Sequence, residues 1–444
     1  MRPLKWLLSF GVVGAIIVAS SFTLWGCGGG GGSSAASTPP VAPQNVANIT
    51  IDSFNGNSAG NTAYVTVTVC APGTTNCATI DHISVDTGSF GLRLLSSAID
   101  TYNADLLNAL PNVLTTGEYL AECAQFGSGY TWGSVRSVDF SIPNTDEKVS
   151  GLPVQIVGDL EPAPSTCISQ SINGLMLGAQ NDYTTAANFG ANGIIGVGPF
   201  PQDCEVCSEI AMPSSNGTSD LVYTTCTSMS PSTCTASEAT LAQQVINPVS
   251  DFAVDNTGVI IIFPSETGAG TASLSGTLTF GIVAGNSANN ALKSATVYLA
   301  DPSDAYVRTI YKNTTDTESF IDSGSNALYF IDNSITACSG NASSFYCPGG
   351  NTSPFNAGGS STLAESATFE DYQGNNGTSV DFTIENINLI TGWASSGLAG
   401  TGTASQFDWG MPFFFGRSVY TALTSQPTNA PNVIGGYTAP FYAF

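Results

Sequence analysis

The chain has 444 residues, of which 42% are hydrophobic and only 9% are charged, against about a quarter in an ordinary globular protein. Its nine Lys and Arg residues face 33 Asp and Glu, which excludes nucleic acid as a partner because phosphate binding needs clustered basic residues. The one histidine, His82, excludes multi-histidine zinc sites and, unless it is the base itself, Ser-His-Asp and Cys-His catalysis. We therefore expect any acid–base chemistry to use carboxylates.

Residues 1–26 are predicted to be a signal peptide, because two basic residues precede a long apolar run. The run ends in Leu-Trp-Gly followed by Cys27, which resembles the bacterial lipobox. Lipidation of Cys27 would anchor the protein to a lipid bilayer of the bacterial cell envelope, in the outer membrane, the periplasm or at the cell surface. Residues 27–46, rich in Gly, Ser and Pro, would form a flexible tether. An uncleaved signal anchor is the alternative, since the apolar run is nearly long enough to span a membrane.

The ten other cysteines are even in number, which in an exported chain predicts disulfide bonds. Short spacing suggests the pairs Cys70–Cys77, Cys226–Cys234 and Cys338–Cys347. Cys204 and Cys207 could close on each other or pair elsewhere, and Cys123 and Cys167 then remain for each other. A redox or zinc pair at Cys204 and Cys207 is the alternative, although no second Cys-x-x-Cys and no nearby His supports it.

In chain order, the predicted elements are mostly strands. Residues Ala63–Val69 alternate Val and Thr, Gly258–Phe263 is a short apolar run typical of a buried strand, and Ala272–Ile282 alternates around a glycine. Two helices are predicted, at Ser237–Val245, which stops before Asn-Pro, and at Arg417–Leu423. The sequence therefore predicts a mainly β protein.

One internal repeat carries the predicted chemistry. The tetrad Asp86-Thr87-Gly88-Ser89 recurs as Asp322-Ser323-Gly324-Ser325, each after a short apolar stretch. Each copy is followed further along by an apolar–glycine element, Ile194-Ile195-Gly196 in the first case and Trp409-Gly410 in the second. Glycine lets the chain turn beside the acid and donate N–H groups to it.

Two such turns related by a two-fold axis would place their carboxyl groups about 3 Å apart. Two ionised carboxylates at that distance repel by about 5 kcal/mol at an effective dielectric constant near 20, so the pair is expected to share a proton. One carboxyl then takes a proton from a water molecule while the other donates one to a scissile carbonyl. The repeat therefore predicts hydrolysis that needs neither a metal nor a cofactor.

These residues resemble the pepsin-like aspartic peptidases over about residues 60–444, in order and spacing. They also resemble a group of bacterial exported proteins with paired Asp turns. The resemblance implies a mainly β, bilobal pepsin-like fold with pseudo-two-fold symmetry and a cleft between the lobes. The N-terminal lobe would span residues 47–250 and the C-terminal lobe residues 251–444.

The resemblance also implies a role for each residue of the repeat. Asp86 and Asp322 would form the catalytic dyad, and Thr87 and Ser323 would interlock beneath it. Support for the dyad would come from two glycines and two serines: Gly88, Ser89, Gly324 and Ser325.

Residues 124–133 have the glycine spacing of the family's flap, a β-hairpin that closes over the substrate. The residues expected at the flap and in contact with substrate are Phe126, Gly127, Gly129, Tyr130, Trp132 and Arg93. The family usually has Tyr where Phe126 stands and Trp where Arg93 stands, and these two side chains normally hydrogen-bond each other. Tyr130 or Trp132 is expected to substitute for the missing Tyr. Arg93 is expected either to pair with a surface acid or to offer a cation to an acidic substrate side chain.

The sequence thus predicts an exported, lipid-anchored aspartic endopeptidase that acts as a monomer on a peptide or protein substrate. The alternative is a catalytically inactive pepsin-like lipoprotein of the cell surface, which binds a peptide or glycan in its cleft. A self-processing precursor is a third interpretation, although residues 46–80 lack the basic residues that usually pair with such a dyad.

Overall fold

A computed structural model of the chain describes residues 44–54, 60–127, 129–172, 175–179, 181–209, 211, 222–228, 234–266, 268–350, 361–427 and 429–444. The predicted signal peptide and Cys27 lie outside these ranges, as does most of the predicted tether. Within the described ranges, no helix is both long and apolar enough to cross a membrane.

Short strands account for most of the regular structure. Those of the first half are β1 Val46–Ile51, β2 Ala63–Cys70, β3 Cys77–Asp86, β4 Phe90–Leu95, β5 Leu114–Thr115, β6 Glu118–Phe126, β7 Gly129–Ser141, β8 Lys148–Val157, β9 Ser169–Ile172, β10 Leu175–Ala179, β11 Asn181–Asp182, β12 Gly193–Val197, β13 Tyr223–Cys226 and β14 Cys234–Ala236. Those of the second half are β15 Gly258–Ile262, β16 Leu274–Phe280, β17 Val297–Leu299, β18 Val307–Tyr311, β19 Thr314–Ile321, β20 Leu328–Phe330, β21 Thr362–Glu370, β22 Thr378–Glu385, β23 Ala399–Thr401, β24 Asp408–Trp409, β25 Ser418–Ala422, β26 Val433–Ile434, β27 Tyr437–Thr438 and β28 Phe441–Ala443. The α-helices are α1 Ser96–Tyr102, α2 Leu106–Ala109, α3 Ser165–Ile168 and α4 Ala186–Phe189, and 3-10 turns lie at Glu205–Ser208, Pro248–Asp251, Gly340–Ala342, Ile387–Leu389 and Met411–Phe414.

The three predicted strands are confirmed as β2, β15 and β16, but both predicted helices are wrong. Residues 237–245 form turns and irregular structure instead, tied to distant residues: the N–H of Ser237 donates to the carbonyl of Tyr223 at 3.1 Å, and the N–H of Val245 donates to the Tyr223 hydroxyl at 2.7 Å. Residues 418–422 form β25, which lies between β15 and β28 in a sheet. Its Val-Tyr-Thr centre is β-branched and aromatic, and such residues fit a pleated surface better than a short helix.

The same three-strand unit occurs in both halves, each time around one Asp turn. In the first half, β12 runs parallel to β3 and antiparallel to β4, so it lies between the two strands that flank the Asp86 turn. In the second half, β24 runs parallel to β19 and antiparallel to β20, and so lies between the strands that flank the Asp322 turn. The apolar–glycine elements of the repeat are therefore crossing strands behind the two acids.

A large sheet joins the two halves of the chain. Strand β1 pairs along its whole length with β16, from Val46 opposite Thr279 to Ile51 opposite Leu274. Strand β15 lies between β16 and β25, and β28 lies between β25 and β17. The predicted boundary at residue 250 therefore does not separate two independent sheets. The architecture is a mainly β, bilobal pepsin-like fold in which two pseudo-symmetric units are held on a shared sheet.

An aromatic core supports the second Asp turn from behind. Trp409 of β24 is fully buried, its ring centroid lies 4.3 Å from that of Phe407, and its indole N–H donates to Thr309 Oγ1 at 2.9 Å. The three consecutive phenylalanines 413–415 are buried in the same core. The turn is thus held against a rigid aromatic layer.

The described residues contain five disulfide bonds. They join Cys70 to Cys77, Cys123 to Cys167, Cys204 to Cys207, Cys226 to Cys234, and Cys338 to Cys347. The short-loop pairs are confirmed, and Cys204 closes on Cys207 rather than pairing elsewhere. Most of these bonds close short loops, so they fix local hairpins and turns rather than linking the halves.

The crossing glycines set a stability test. A Cβ on Gly410 would lie 2.1 Å from the Ala327 carbonyl oxygen, and one on Gly196 would lie 2.5 Å from the Phe90 backbone nitrogen. Both neighbours are backbone, so we expect Gly410→Ala and Gly196→Ala each to lower the free energy of unfolding by about 1–3 kcal/mol or more. Gly127→Ala, where the space is open, is the control. Denaturant unfolding with intact disulfides measures the change, and stabilities equal to that of the control would contradict this account of the crossing.

Candidate active site

The Asp86 carboxyl is fixed by its own turn. The N–H of Gly88 donates to Oδ1 at 2.7 Å, and the Ser89 hydroxyl donates to Oδ2 at 2.5 Å. Both oxygens are thus bonded to donors two and three residues further along. This orientation follows from the sequence Asp-Thr-Gly-Ser alone, since the glycine gives the tight turn and the serine returns to the acid.

The Asp322 carboxyl has the same bonds in the second half. The N–H of Gly324 donates to Oδ1 at 2.7 Å, and the Ser325 hydroxyl donates to Oδ2 at 2.8 Å. The two turns are therefore equivalent atom by atom, as a pseudo-two-fold axis between them requires.

Four hydrogen bonds lock the turns together beneath the acids. Thr87 Oγ1 donates to the carbonyl of Ile321 at 3.1 Å and accepts from the N–H of Ser323 at 2.9 Å. The two symmetry-related bonds are made by Ser323: its Oγ donates to the carbonyl of Val85 at 2.8 Å and accepts from the N–H of Thr87 at 3.0 Å. The structure thus places Thr87 and Ser323 in the interlocked arrangement that the resemblance implied.

The two carboxyl groups meet at the centre of this arrangement. A Cβ on Gly88 would lie 2.6 Å from Asp322 Cγ, and a Cβ on Gly324 would lie 2.6 Å from Asp86 Cγ. Each turn therefore presents its glycine to the acid of the other half, and no larger residue fits at either position.

Contact with Asp322 changes the titration of Asp86. Burial, the charge of Asp322 and the hydrogen bond between the two carboxyls raise the pKa of Asp86 well above its ordinary value, against donors from Ser89 and Gly88 that lower it. The pair therefore retains a proton at pH values where an isolated aspartic acid is ionised.

The dyad lies in a cleft of about 910 Å³ that is lined by both halves of the chain. Of the residues predicted from the sequence, those that line it are Asp86, Gly88, Ser89, Arg93, Phe126, Gly127, Asp322, Gly324 and Ser325. The flap strands β6 and β7 pair as a hairpin, and its tip reaches the cleft through Phe126 and Gly127. The cleft is large enough for several residues of an extended peptide.

Tyr130, Trp132 and Gly129 do not line the cleft, contrary to the prediction. Tyr130 and Trp132 are 5% and 0% exposed and pack in an apolar cluster with Cys123 and Cys167. They lie beyond the flap tip, where the hairpin enters the body of the protein, so neither replaces the Tyr that the family has at position 126.

Arg93 contacts Phe126 directly. The guanidinium carbon lies 5.9 Å from the centre of the Phe126 ring, within the range of a cation–π interaction. The same guanidinium donates to the carbonyl of Phe90 at 2.7 Å. A cation–π contact thus stands at the place where the pepsin-like peptidases usually have a hydrogen bond between Trp and Tyr. The contact connects the flap to β4, the strand that follows the first Asp turn.

The acids that pair with Arg93 are buried, not on the surface as expected. Arg93 is 3% exposed, and its Nη2 donates to Glu122 at 2.5 Å and to Asp203 at 3.0 Å. Tyr223 completes the cluster by donating its hydroxyl to Asp203 at 2.7 Å. Because both acids bind it, Arg93 has little positive charge to offer an acidic substrate side chain.

Burial is the largest influence on the pKa values of Glu122 and Tyr223. It raises the pKa of Glu122 well above its ordinary value, with a further rise from Asp203 and an opposing effect from Arg93. Burial also raises the pKa of Tyr223, with a contribution from the charges of Asp203 and Glu122. Asp203 lies just before the 3-10 turn Glu205–Ser208, and Tyr223 lies on β13, which pairs with flap strand β6.

Asp408 is a further cleft residue that sequence reasoning missed. It lies on crossing strand β24, is 8% exposed and lines the same cleft as the dyad. Burial, then the charges of Asp322 and Asp86, raise its pKa well above the ordinary value, and a hydrogen bond from Ser325 opposes the rise. The signal was available, because an acid stands two residues before Gly410 where the first crossing strand has Ile194.

His82 takes no part in the site. It lies where β3 bulges away from the regular register with β2, and its two ring nitrogens each lie 3.2 Å from a carboxylate, of Asp52 and of Asp81. The bulge breaks the alternation that would place it on the same face as Asp86. In the part of the chain that the structure describes, no three His, Cys, Asp or Glu residues are grouped so as to hold a metal ion.

Removal of the buried cation tests the Arg93 cluster. We expect Arg93→Met to lower the free energy of unfolding by about 3–5 kcal/mol at pH 7, because Glu122 and Asp203 then face each other without a counter-charge. Arg93 opposes the rise in the pKa of Glu122, so its removal raises that pKa further and the folded variant keeps a proton that the folded wild type loses more readily; the deficit should therefore grow as the pH rises from 4 to 7. Denaturant unfolding at both pH values measures it. Lys148→Met, at an exposed position, is the control, and a deficit as small as that of the control would contradict the account.

Three comparisons with known proteins give the following results. No curated protein matches the chain. Among solved structures, the crystal structure of aspartic proteinase from Irpex lacteus matches with 15% sequence identity and a TM-score of 0.43, over 85% of this chain and 93% of that chain. A family model described as "Protein of unknown function (DUF3443)" matches residues 41–444. The chain therefore belongs to the DUF3443 family.

Proposed function

We propose that the protein is an aspartic endopeptidase that hydrolyses peptide bonds with a carboxylate dyad and an activated water. The observation that carries the proposal is that Asp86 and Asp322 accept the same two hydrogen bonds, each from the glycine and the serine of its own turn, in a pseudo-two-fold arrangement. Structural carboxylates are usually paired with a cation, whereas these two face each other at the bottom of an open cleft. An arrangement that maintains such repulsion is typical of a catalytic pair.

The proposed mechanism requires one proton on the dyad. Asp86, whose pKa is raised, holds the proton, and the Asp322 carboxylate takes a proton from a water molecule as the water oxygen attacks the scissile carbonyl carbon. Asp86 gives its proton to the carbonyl oxygen, which leaves a tetrahedral diol. The proton on Asp322 then passes to the amide nitrogen, the C–N bond breaks, and the diol returns a proton to Asp86 as the new carboxyl forms.

The flap would limit the access of water to this reaction. Phe126 and Gly127 line the cleft from the flap, and the Phe126 ring is within 6.5 Å of Tyr183 and Phe189, measured between ring centroids. These apolar rings can cover an extended peptide and strengthen the electrostatic interactions beneath it.

We also propose that the protein is exported and anchored at Cys27, with the peptidase unit outside the cytoplasm and its substrate a peptide or protein. The sequence from residue 1 to Cys27 supports this proposal, and so do the five disulfide bonds, since such bonds persist in oxidising compartments. Cleavage by one chain is sufficient, because both acids come from the same polypeptide.

An inactive pepsin-like protein that binds a ligand in its cleft is the second candidate. One observation favours it: Phe126 has no hydroxyl with which the flap could hydrogen-bond Arg93 or a substrate. Binding without hydrolysis would still use the cleft but would not depend on the shared proton.

Cleavage of an unfolded protein between pH 3 and 7 distinguishes the two candidates. We expect the wild type to cleave in acid, pepstatin to inhibit it, and Asp86→Asn and Asp322→Asn each to lower the rate by about 10²–10⁴-fold or more, since each removes one of the two proton-transfer groups. Asp381→Asn, at an exposed position on β22, is the control. Absence of cleavage by correctly oxidised wild type, with retained ligand binding in Asp322→Asn, would favour the binding protein.

The pH dependence tests the role of the dyad more directly. Activity should extend above pH 4, the ordinary range of an aspartic acid, and fall at higher pH as Asp86 loses its proton. Because the Ser89 hydroxyl lowers the pKa of Asp86, Ser89→Ala should move this high-pH limb further up. The pH profile of kcat/KM measures the limb, and a downward shift would contradict the assignment of the proton to Asp86.

A further inference from the structure

Asp408 breaks the pseudo-symmetry of the cleft. In the first half, Ile194 of β12 lies opposite Arg93 of β4 and two residues before the crossing glycine. In the second half, Asp408 of β24 holds the same place and lies opposite Tyr329 of β20. Arg93 and Tyr329 each follow their dyad acid by seven residues. The pseudo-two-fold axis thus relates Ile194, which is apolar and lies beside Arg93, to Asp408, which is acidic and lies beside Tyr329.

The Asp408 carboxyl has too few partners for a buried acid. Its Oδ1 is buried and has no hydrogen-bond partner among the described residues, although the side chain lines the cleft. Tyr329, the neighbour across the strand pair, donates its hydroxyl to Asn326 at 2.6 Å instead. A buried carboxyl with an unbonded oxygen is costly, and it is retained more readily where a ligand supplies the missing bond.

No Lys or Arg in the part of the chain that the structure describes lies beside Asp408 as a partner. Among the described residues, Arg93 is the only Lys or Arg that lines the cleft, and Glu122 and Asp203 already bind it. The charges that act on Asp408 are those of the dyad acids Asp322 and Asp86, and both disfavour its ionised form. Among the described residues no cation faces Asp408, so a ligand that brings a positive charge would stabilise its ionised form.

We propose that Asp408 is a specificity-determining residue that binds the cationic side chain of a Lys or Arg adjacent to the scissile bond. This inference rests on the proposed peptidase function and names its substrate class. The ammonium or guanidinium group supplies the donors that Asp408 lacks and favours its ionised form. The apolar stem of the same side chain lies along the wall that Tyr329 also lines.

Matched peptides test the subsite. Fluorogenic peptides that differ at one position, with Lys, its uncharged analogue norleucine or Glu on either side of the scissile bond, are compared by the ratio of kcat/KM. We expect the wild type to prefer Lys over norleucine by about tenfold or more on one side of the bond, as for a close charge pair. The ratio should fall to about 1 in Asp408→Asn, which keeps the shape, and in Asp408→Ile, which copies Ile194. The exposed control Asp381→Asn should keep the wild-type ratio.

Two outcomes overturn the inference: a wild type without preference for Lys, or an unchanged ratio in both Asp408 variants. If the wild type cleaves none of the peptides, the peptidase proposal fails, and binding decides the subsite separately. Fluorescence anisotropy of the same labelled peptides on Asp86→Asn, with and without Asp408→Asn, then measures the Lys-to-norleucine ratio of Kd. Equal affinities for the two peptides would overturn the subsite as well. Thermal unfolding of each variant checks that it is folded.

Discussion

The interlocked hydroxyls of Thr87 and Ser323 are the constraint on which the site depends. Each hydroxyl donates a hydrogen bond to a carbonyl of the other half and accepts one from an N–H of that half. Rotation of either side chain would therefore break hydrogen bonds between the halves. The four bonds join strands that are about 235 residues apart in the chain. Because the backbones are fixed, the acids one residue earlier cannot separate to relieve their repulsion. The repulsion between the two carboxylates is therefore relieved by a proton that they share.

The rest of the fold supports this constraint from both sides. Strands β12 and β24 cross behind the turns, and their glycines allow backbone to pass where a methyl group does not fit. The shared sheet of β1, β15, β16, β25 and β28 holds the halves in register below the cleft.

The sequence predicted the centre of the site better than its walls. The Asp turns repeat as contiguous tetrads, and the bonds of Asp86 and Asp322 arise within two or three residues, so local sequence suffices to find them. The hydrogen bonds between Thr87 and Ser323 were expected from the resemblance to the pepsin-like peptidases, which the repeat and the order of its elements made recognisable. The strands that alternate or are wholly apolar were found for the same reason, since their periodicity is local.

Elements that depend on distant contacts were predicted less well. Tyr130 and Trp132 have flap spacing, but their burial against Cys167 depends on a segment more than 30 residues away. The helices predicted at 237–245 and 417–423 failed because Tyr223, β15 and β28 supply partners that no local pattern contains. Glu122 and Asp203 were not recognised as partners of Arg93, since the residues of a buried ion pair follow no periodic pattern in the sequence.

The two dyad acids are related by a pseudo-two-fold axis, so they do not by themselves distinguish the two directions in which a peptide chain could lie in the cleft. The direction must come from the residues that line the cleft on either side of the dyad. The first wall combines Ile194 with an Arg93 that is neutralised by Glu122 and Asp203, and the second combines Asp408 with Tyr329. A peptide that places a cation on one side of the scissile bond can satisfy Asp408 in only one orientation. In a chain with so few charged residues, an unpaired acid in the cleft is costly, and the orientation of the substrate is the property that would offset this cost.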